Sequence, residues 1–124
     1  DSIEFRTALT VADRCLVPFV PSQHDFNTLP LVNELLTHAK VFNSGMVVSA
    51  ILSNCPQNKL AREKRLVDVL EIFKEFEQLD LLETKIINRI AYTDSASTGQ
   101  GVTEMKDIKA VSEITELAQE LYNV

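Results

Sequence analysis

Apolar residues along this chain follow two alternating patterns. Three short runs are close to continuous: residues 14–20 after the leading Arg14, residues 46–53 and, more mixed, residues 81–87. Runs of this length without polar alternation fit strands covered on both faces, as in a parallel sheet. Pro18 interrupts the first run. Proline has no ladder donor, so an edge or a bulge is expected there. Elsewhere the apolar spacing is helical. Residues 26–42 place Val32, Leu35, Leu36, Ala39 and Phe42 on one stripe, with Ser22 and Asp25 as N-caps and Pro30 near the first turn. Residues 58–78 do the same with Leu66, Val67, Leu70, Phe73 and Phe76, and residues 107–122 with Val111, Ile114, Ala118 and Leu121. Residues 3–12 and 90–98 read as shorter helices.

Strands that alternate with helices predict βαβ units with right-handed crossovers. The expected fold is α/β, a parallel sheet of three strands with about five flanking helices in a Rossmann-like arrangement. In such sheets ligands bind beyond the carboxyl ends of the strands. That rule selects the loops at 21–25, 54–58 and 88–92. Residues 95–101, Ser-Ala-Ser-Thr-Gly-Gln-Gly, form a small-residue loop, and no internal repeat or linker is found.

Composition narrows the picture. The chain has 124 residues, 45% apolar and 24% charged, with a net charge of −6. This suits one domain spanning 1–124 with its own core, and it excludes a disordered tail or a cysteine-rich scaffold. The apolar runs fall far short of the ~20 residues needed to span a bilayer, and no basic-then-apolar leader opens the chain. The start at Asp1, without Met, reads as a chain that begins inside something larger. Cys15 and Cys55 lack metal-ligand spacing and read as reduced, buried thiols. The acidic balance argues against general affinity for nucleic acid, yet Lys59, Arg62, Lys64 and Arg65 form a local basic run. Such a run is most often a solvated helix face.

Chemistry is harder to find. The three glycines, Gly45, Gly99 and Gly101, make no phosphate-cradling motif, and no nucleophile elbow or paired zinc histidines occur. His24 beside Asp25 suggests an acid–base pair but lacks a third partner. No catalytic and no metal-binding residue is assigned.

Several segments taken in order nevertheless resemble one family. Ile3-Glu4-Phe5-Arg6-Thr7-Ala8-Leu9 followed by Leu16-Val17-Pro18-Phe19-Val20-Pro21-Ser22-Gln23-His24-Asp25 is similar to the helix and the P-x-x-P-S-x-x-D strand end that follow the Walker B strand in ParA-type partition ATPases. These are deviant Walker A P-loop proteins related to MinD. Asn54 and Gln57-Asn58-Lys59, then Asn88-Arg89-Ile90-Ala91-Tyr92, then Gly101-Val102-Thr103-Glu104 and Ala110-Val111-Ser112-Glu113-Ile114 follow in register. The resemblance covers essentially the whole chain, as the C-terminal half of the P-loop fold only. The phosphate loop, switch I and Walker B segments of the family lie upstream of its first residue.

The resemblance implies a plasmid or chromosome partition protein: an ATP-dependent switch that dimerises, binds DNA without sequence preference and is stimulated by a ParB-type centromere-binding partner. It implies ATP or ADP with Mg as cofactors of the intact protein, a cytoplasmic, nucleoid-associated location and no membrane. Asn54 matches the residue that reads the adenine edge, with a turn role before Pro56 as its alternative. Asn88, Arg89 and Ile90 match the loop beside the base, although the family usually has proline where Asn88 stands. Lys59, Arg62, Lys64, Arg65, Lys85 and Arg89 become candidates for the DNA surface. Asp25 reads as a helix cap rather than a ligand. Without a phosphate loop the isolated chain is expected to hydrolyse no ATP and to bind no nucleotide tightly. The strand at 14–20 is expected to have an open edge and to promote self-association. A non-enzymatic module that only contacts DNA or a partner is the competing reading. A membrane-associated MinD-like relative is disfavoured by Glu113, Glu116 and Glu120 in the last helix.

Overall fold

Three parallel strands, β1 (Arg14–Phe19), β2 (Val47–Cys55) and β3 (Asp80–Ile87), form a sheet in the order β1-β2-β3. The computed structural model describes residues 3–123, with Gln23 and His24 described in backbone only. The helices are α1 (Ile3–Leu9), α2 (Gln23–Phe42), α3 (Lys59–Phe73), α4 (Ile90–Thr98) and α5 (Ile108–Tyr122), with a short 3-10 helix at Val102–Glu104. The arrangement is the α/β, Rossmann-like one that the alternation of patterns predicts.

β2 shows why its sequence runs apolar without interruption. Val48, Ser49, Ala50, Ile51 and Leu52 are consecutive and all buried, so both faces of this central strand are covered. Leu29, Leu36 and Ala39 of α2 and Val69 and Phe73 of α3 belong to the same core. The Phe19 ring links three elements: its centroid lies 5.3 Å from that of Phe26 and 5.2 Å from that of Phe73.

Pro18 stands opposite Ile51 in an unbroken register from Arg14–Val47 to Phe19–Leu52. β1 is an edge strand, where a missing donor is tolerated, so no bulge forms there. The irregularities lie instead between β2 and β3, from Ala50 to Leu52 and from Leu52 to Cys55.

Helix boundaries and faces depart from the pattern in five places. α2 begins at Gln23, so Pro30 lies inside the helix, where it removes a backbone donor. α3 stops at Phe73. Four-residue turns then carry the chain on, with Glu75 donating to Ile72, Phe76 to Phe73 and Leu79 to Phe76. The buried side of α3 is Leu66, Val69 and Phe73, while Val67 and Leu70 are exposed. Phe42, at the end of α2, is 79% exposed. α1 ends at Leu9, and Asn43 Nδ2 donates to the Leu9 and Ala12 carbonyls at 3.0 and 2.7 Å, which joins this turn to the end of α2.

The two sheet edges differ. Along β3, α5 supplies carboxylates: Glu120 accepts from the Glu83 and Thr84 amides at 2.7 and 2.9 Å, and Glu113 from the Ile87 amide at 3.2 Å. Burial pushes the Glu120 carboxyl up, but these hydrogen bonds and Lys85 outweigh it and hold it below its ordinary value. No strand pairs with the other side of β1 among the described residues. An apolar groove of about 170 Å³ lies against that strand, lined by Phe5, Cys15, Val17, Pro18, Val32 and Leu36 among others.

Candidate ligand cleft at the carboxyl end of the sheet

Because the strands are parallel, the three connecting loops leave the same end of the sheet. Each is held by side-chain contacts to the backbone. After β1, Ser22 caps α2 by accepting from the Asp25 amide at 3.4 Å. The Asp25 carboxylate reaches back to the Val20 amide at 2.7 Å. Asp25 therefore fastens the helix start to the strand end from inside the first turn, while the cap itself is Ser22 and not Asp25. The His24 side chain lies outside the described residues. After β2, Asn58 caps α3 through the Ala61 amide at 3.0 Å.

α3 clamps two of these loops. Arg62 donates to the Pro56 and Gln57 carbonyls at 3.0 and 2.9 Å, and Arg65 to the Pro21 carbonyl at 2.7 Å. The loops after β2 and β3 are joined directly: the Asn88 amide donates to the Cys55 carbonyl at 2.8 Å, and Gln57 Nε2 to the Asn88 carbonyl at 2.6 Å.

Between these two loops and the start of α5 lies a cleft of about 370 Å³, lined by Gln57, Arg62, Ile87, Arg89, Ile90, Asp107 and Lys109. Its organising group is Glu113, a carboxylate buried to 7% exposure. Arg89 meets Glu113 Oε2 through Nε at 2.9 Å and through an Nη at 2.8 Å. Tyr92 donates its hydroxyl to Glu113 Oε1 at 2.8 Å, the oxygen that also accepts from the Ile87 amide. One buried carboxylate thus holds the strand end, the loop and the first turn of α4. The bond to Glu113 raises the Arg89 guanidinium above its ordinary value. Burial, then the same carboxylate, pushes the Tyr92 phenol well above its own.

The structure brings some of the sequence-selected residues together and separates others. Arg89 and Ile90 line the cleft. Asn88 contributes backbone only, and its side chain is exposed. Asn54 sits outside the lining, exposed, with φ of 50° in the left-handed region. Asparagine adopts that region more readily than most residues, and here it falls where the β2–β3 register shifts.

The basic set divides in a similar way. Lys59 and Lys64 are exposed on α3, and Lys59 makes a 4.0 Å contact with Glu63. Arg62 and Arg65 are engaged with loop carbonyls, and Lys85 is half-buried, donating to the Glu83 carbonyl at 3.0 Å. The Arg89 side chain is 16% exposed and paired with Glu113.

None of Glu113, Tyr92, Gln57, Asp107 and Lys109 was singled out from the sequence as a site residue. Glu113 did leave a trace. Ala110, Glu113, Leu117 and Leu121 share one face of α5, so an acid stands in an apolar row.

Other chemistry is sparse. Among the described residues no cluster of three or more His, Cys, Asp or Glu is placed to hold a metal ion. Both cysteines are free. Burial pushes the Cys15 and Cys55 thiols up, in Cys55 against the opposing pull of Lys85 and Arg62. No helix among the described residues is long and apolar enough to cross a membrane. No protein-family model matches the chain, and no curated protein matches it.

Proposed function

We propose that this chain is the C-terminal half of a ParA-type partition ATPase and that the cleft between the 54–58 and 88–92 loops receives the base of its nucleotide. The observation that supports this most is the joining of those two loops at the carboxyl end of a parallel, Rossmann-like sheet, with Arg89 and Ile90 on the cleft wall. On this reading Arg89 and Ile90 hold the base, and Asn54 approaches it from the rim. ATP with Mg supplies the phosphoryl chemistry of the intact protein. On this reading the phosphates are held by the P-loop half of the intact protein. The open edge of β1 and its apolar groove support self-association through this side of the sheet. A ParB-type protein is the proposed stimulating partner, and the proposed setting is the nucleoid.

For DNA, Lys59 and Lys64 are the informative positions. Their side chains are exposed and hold no loop, so charge reversal leaves the architecture intact. In the intact protein, Lys59→Glu with Lys64→Glu is expected to weaken DNA retention without sequence preference. The slope of log affinity against log salt is expected to fall by about 2. Unchanged retention at low salt would remove this helix from the DNA surface and favour the reading as a module that contacts only protein.

A further inference from the structure

The cleft lies beside three cations, Arg62, Arg89 and Lys109, and two carboxylates, Asp107 and Glu113. A cleft with three unopposed cations would be an anion site. Here Glu113 takes both Nε and an Nη of Arg89, and Asp107 sits on the wall with Lys109. Arg62 is turned to the Pro56 and Gln57 carbonyls. What the 88–92 loop presents is then a charge-compensated, planar guanidinium beside Ile87 and the largely exposed Ile90. A guanidinium held flat by a carboxylate still stacks on a planar ring, while its pull on a free phosphate is largely cancelled.

We infer that Glu113 is the specificity-determining residue of this cleft: by cancelling the Arg89 charge it makes the wall select an uncharged, planar heterocycle over an anion. The choice of heterocycle rests on the proposed nucleotide reading; the exclusion of anions from the Arg89 face rests on the Arg89–Glu113 pair, with Arg62 held by loop carbonyls and Asp107 beside Lys109.

The full chain titrated with adenosine and, separately, with inorganic phosphate at matched ionic strength tests this, read at the backbone amides of Ile87 to Tyr92 by NMR. In the unsubstituted chain, adenosine is expected to shift the Arg89 and Ile90 amides at millimolar concentration, and phosphate is not. Glu113→Gln frees the Arg89 charge and is expected to tighten phosphate binding at these amides by about tenfold. Glu113→Asp keeps the charge and is expected to keep the original selectivity. Phosphate shifting the unsubstituted loop as strongly as adenosine would overturn the inference, whether or not the glutamine variant folds. So would a glutamine variant with unchanged phosphate affinity, or an aspartate variant that gains phosphate as the glutamine one does. If adenosine shifts nothing while Glu113→Gln gains phosphate, the nucleobase reading falls and the charge role of Glu113 stands.

Discussion

Replacing Glu113 with alanine is expected to destabilise the protein by about 3–5 kcal/mol, the largest single effect of any polar substitution in this fold. The carboxylate is 7% exposed, and its partner Arg89 is 16% exposed in the side chain. Its removal leaves a guanidinium in a poorly hydrated site without its counter-charge, orphans the Ile87 amide and leaves the Tyr92 hydroxyl with only a long 3.5 Å contact to the Ala110 carbonyl. The double variant Glu113→Ala with Arg89→Ala should cost less than the sum of the two single changes, because it removes the stranded charge. Denaturant unfolding of the three variants measures this. A local signature accompanies it. The Tyr92 phenol, held above its ordinary value by burial and by Glu113, should titrate at lower pH in a Glu113→Ala protein that still folds. The chain has two tyrosines, so Tyr122→Phe isolates the signal.

Phe19→Ala is expected to cost a similar amount, about 3–5 kcal/mol, by a different mechanism. Phe19 is 3% exposed and lies in ring contact with Phe26 and Phe73. Truncation opens a cavity where β1, α2 and α3 meet, and three separate elements cannot all collapse into it. The β1 loop follows directly, so its Asp25-to-Val20 clasp should loosen as well. Phe19→Leu keeps most of the volume and should lose much less. Equilibrium unfolding of both variants checks this, and equal losses would show that volume at this junction is not what matters.

How much of this was readable from sequence depends on the reach of each interaction. The strands were legible because β2 is covered on both faces, which leaves an uninterrupted apolar run in the chain. The end of α3 was not, because the turns after Phe73 keep Phe76 close to the helical period and partly buried against the same core. The face of α3 was misread because Val67 and Leu70 are as apolar as the residues that pack, and only the position of the sheet distinguishes them. That Arg62 and Arg65 also fasten loops was hidden, because a carbonyl acceptor is invisible in a sequence. The acceptor of Arg65, Pro21, lies 44 positions away. Glu113 was the deepest omission. An acid in an apolar row of a helix is legible, but its partners Arg89 and Tyr92 lie 24 and 21 residues back, and only folding brings them together.

The proposed adenine site is the cleft between the 54–58 and 88–92 loops. Photolabelling with an azido-adenine form of ATP, applied to the protein encoded by the complete gene, tests it most directly by peptide mapping of the label. Label is expected on peptides that carry residues 54–58 and 88–92, lost in competition with ATP. Label that is displaced by ATP yet maps entirely away from these two loops would contradict it.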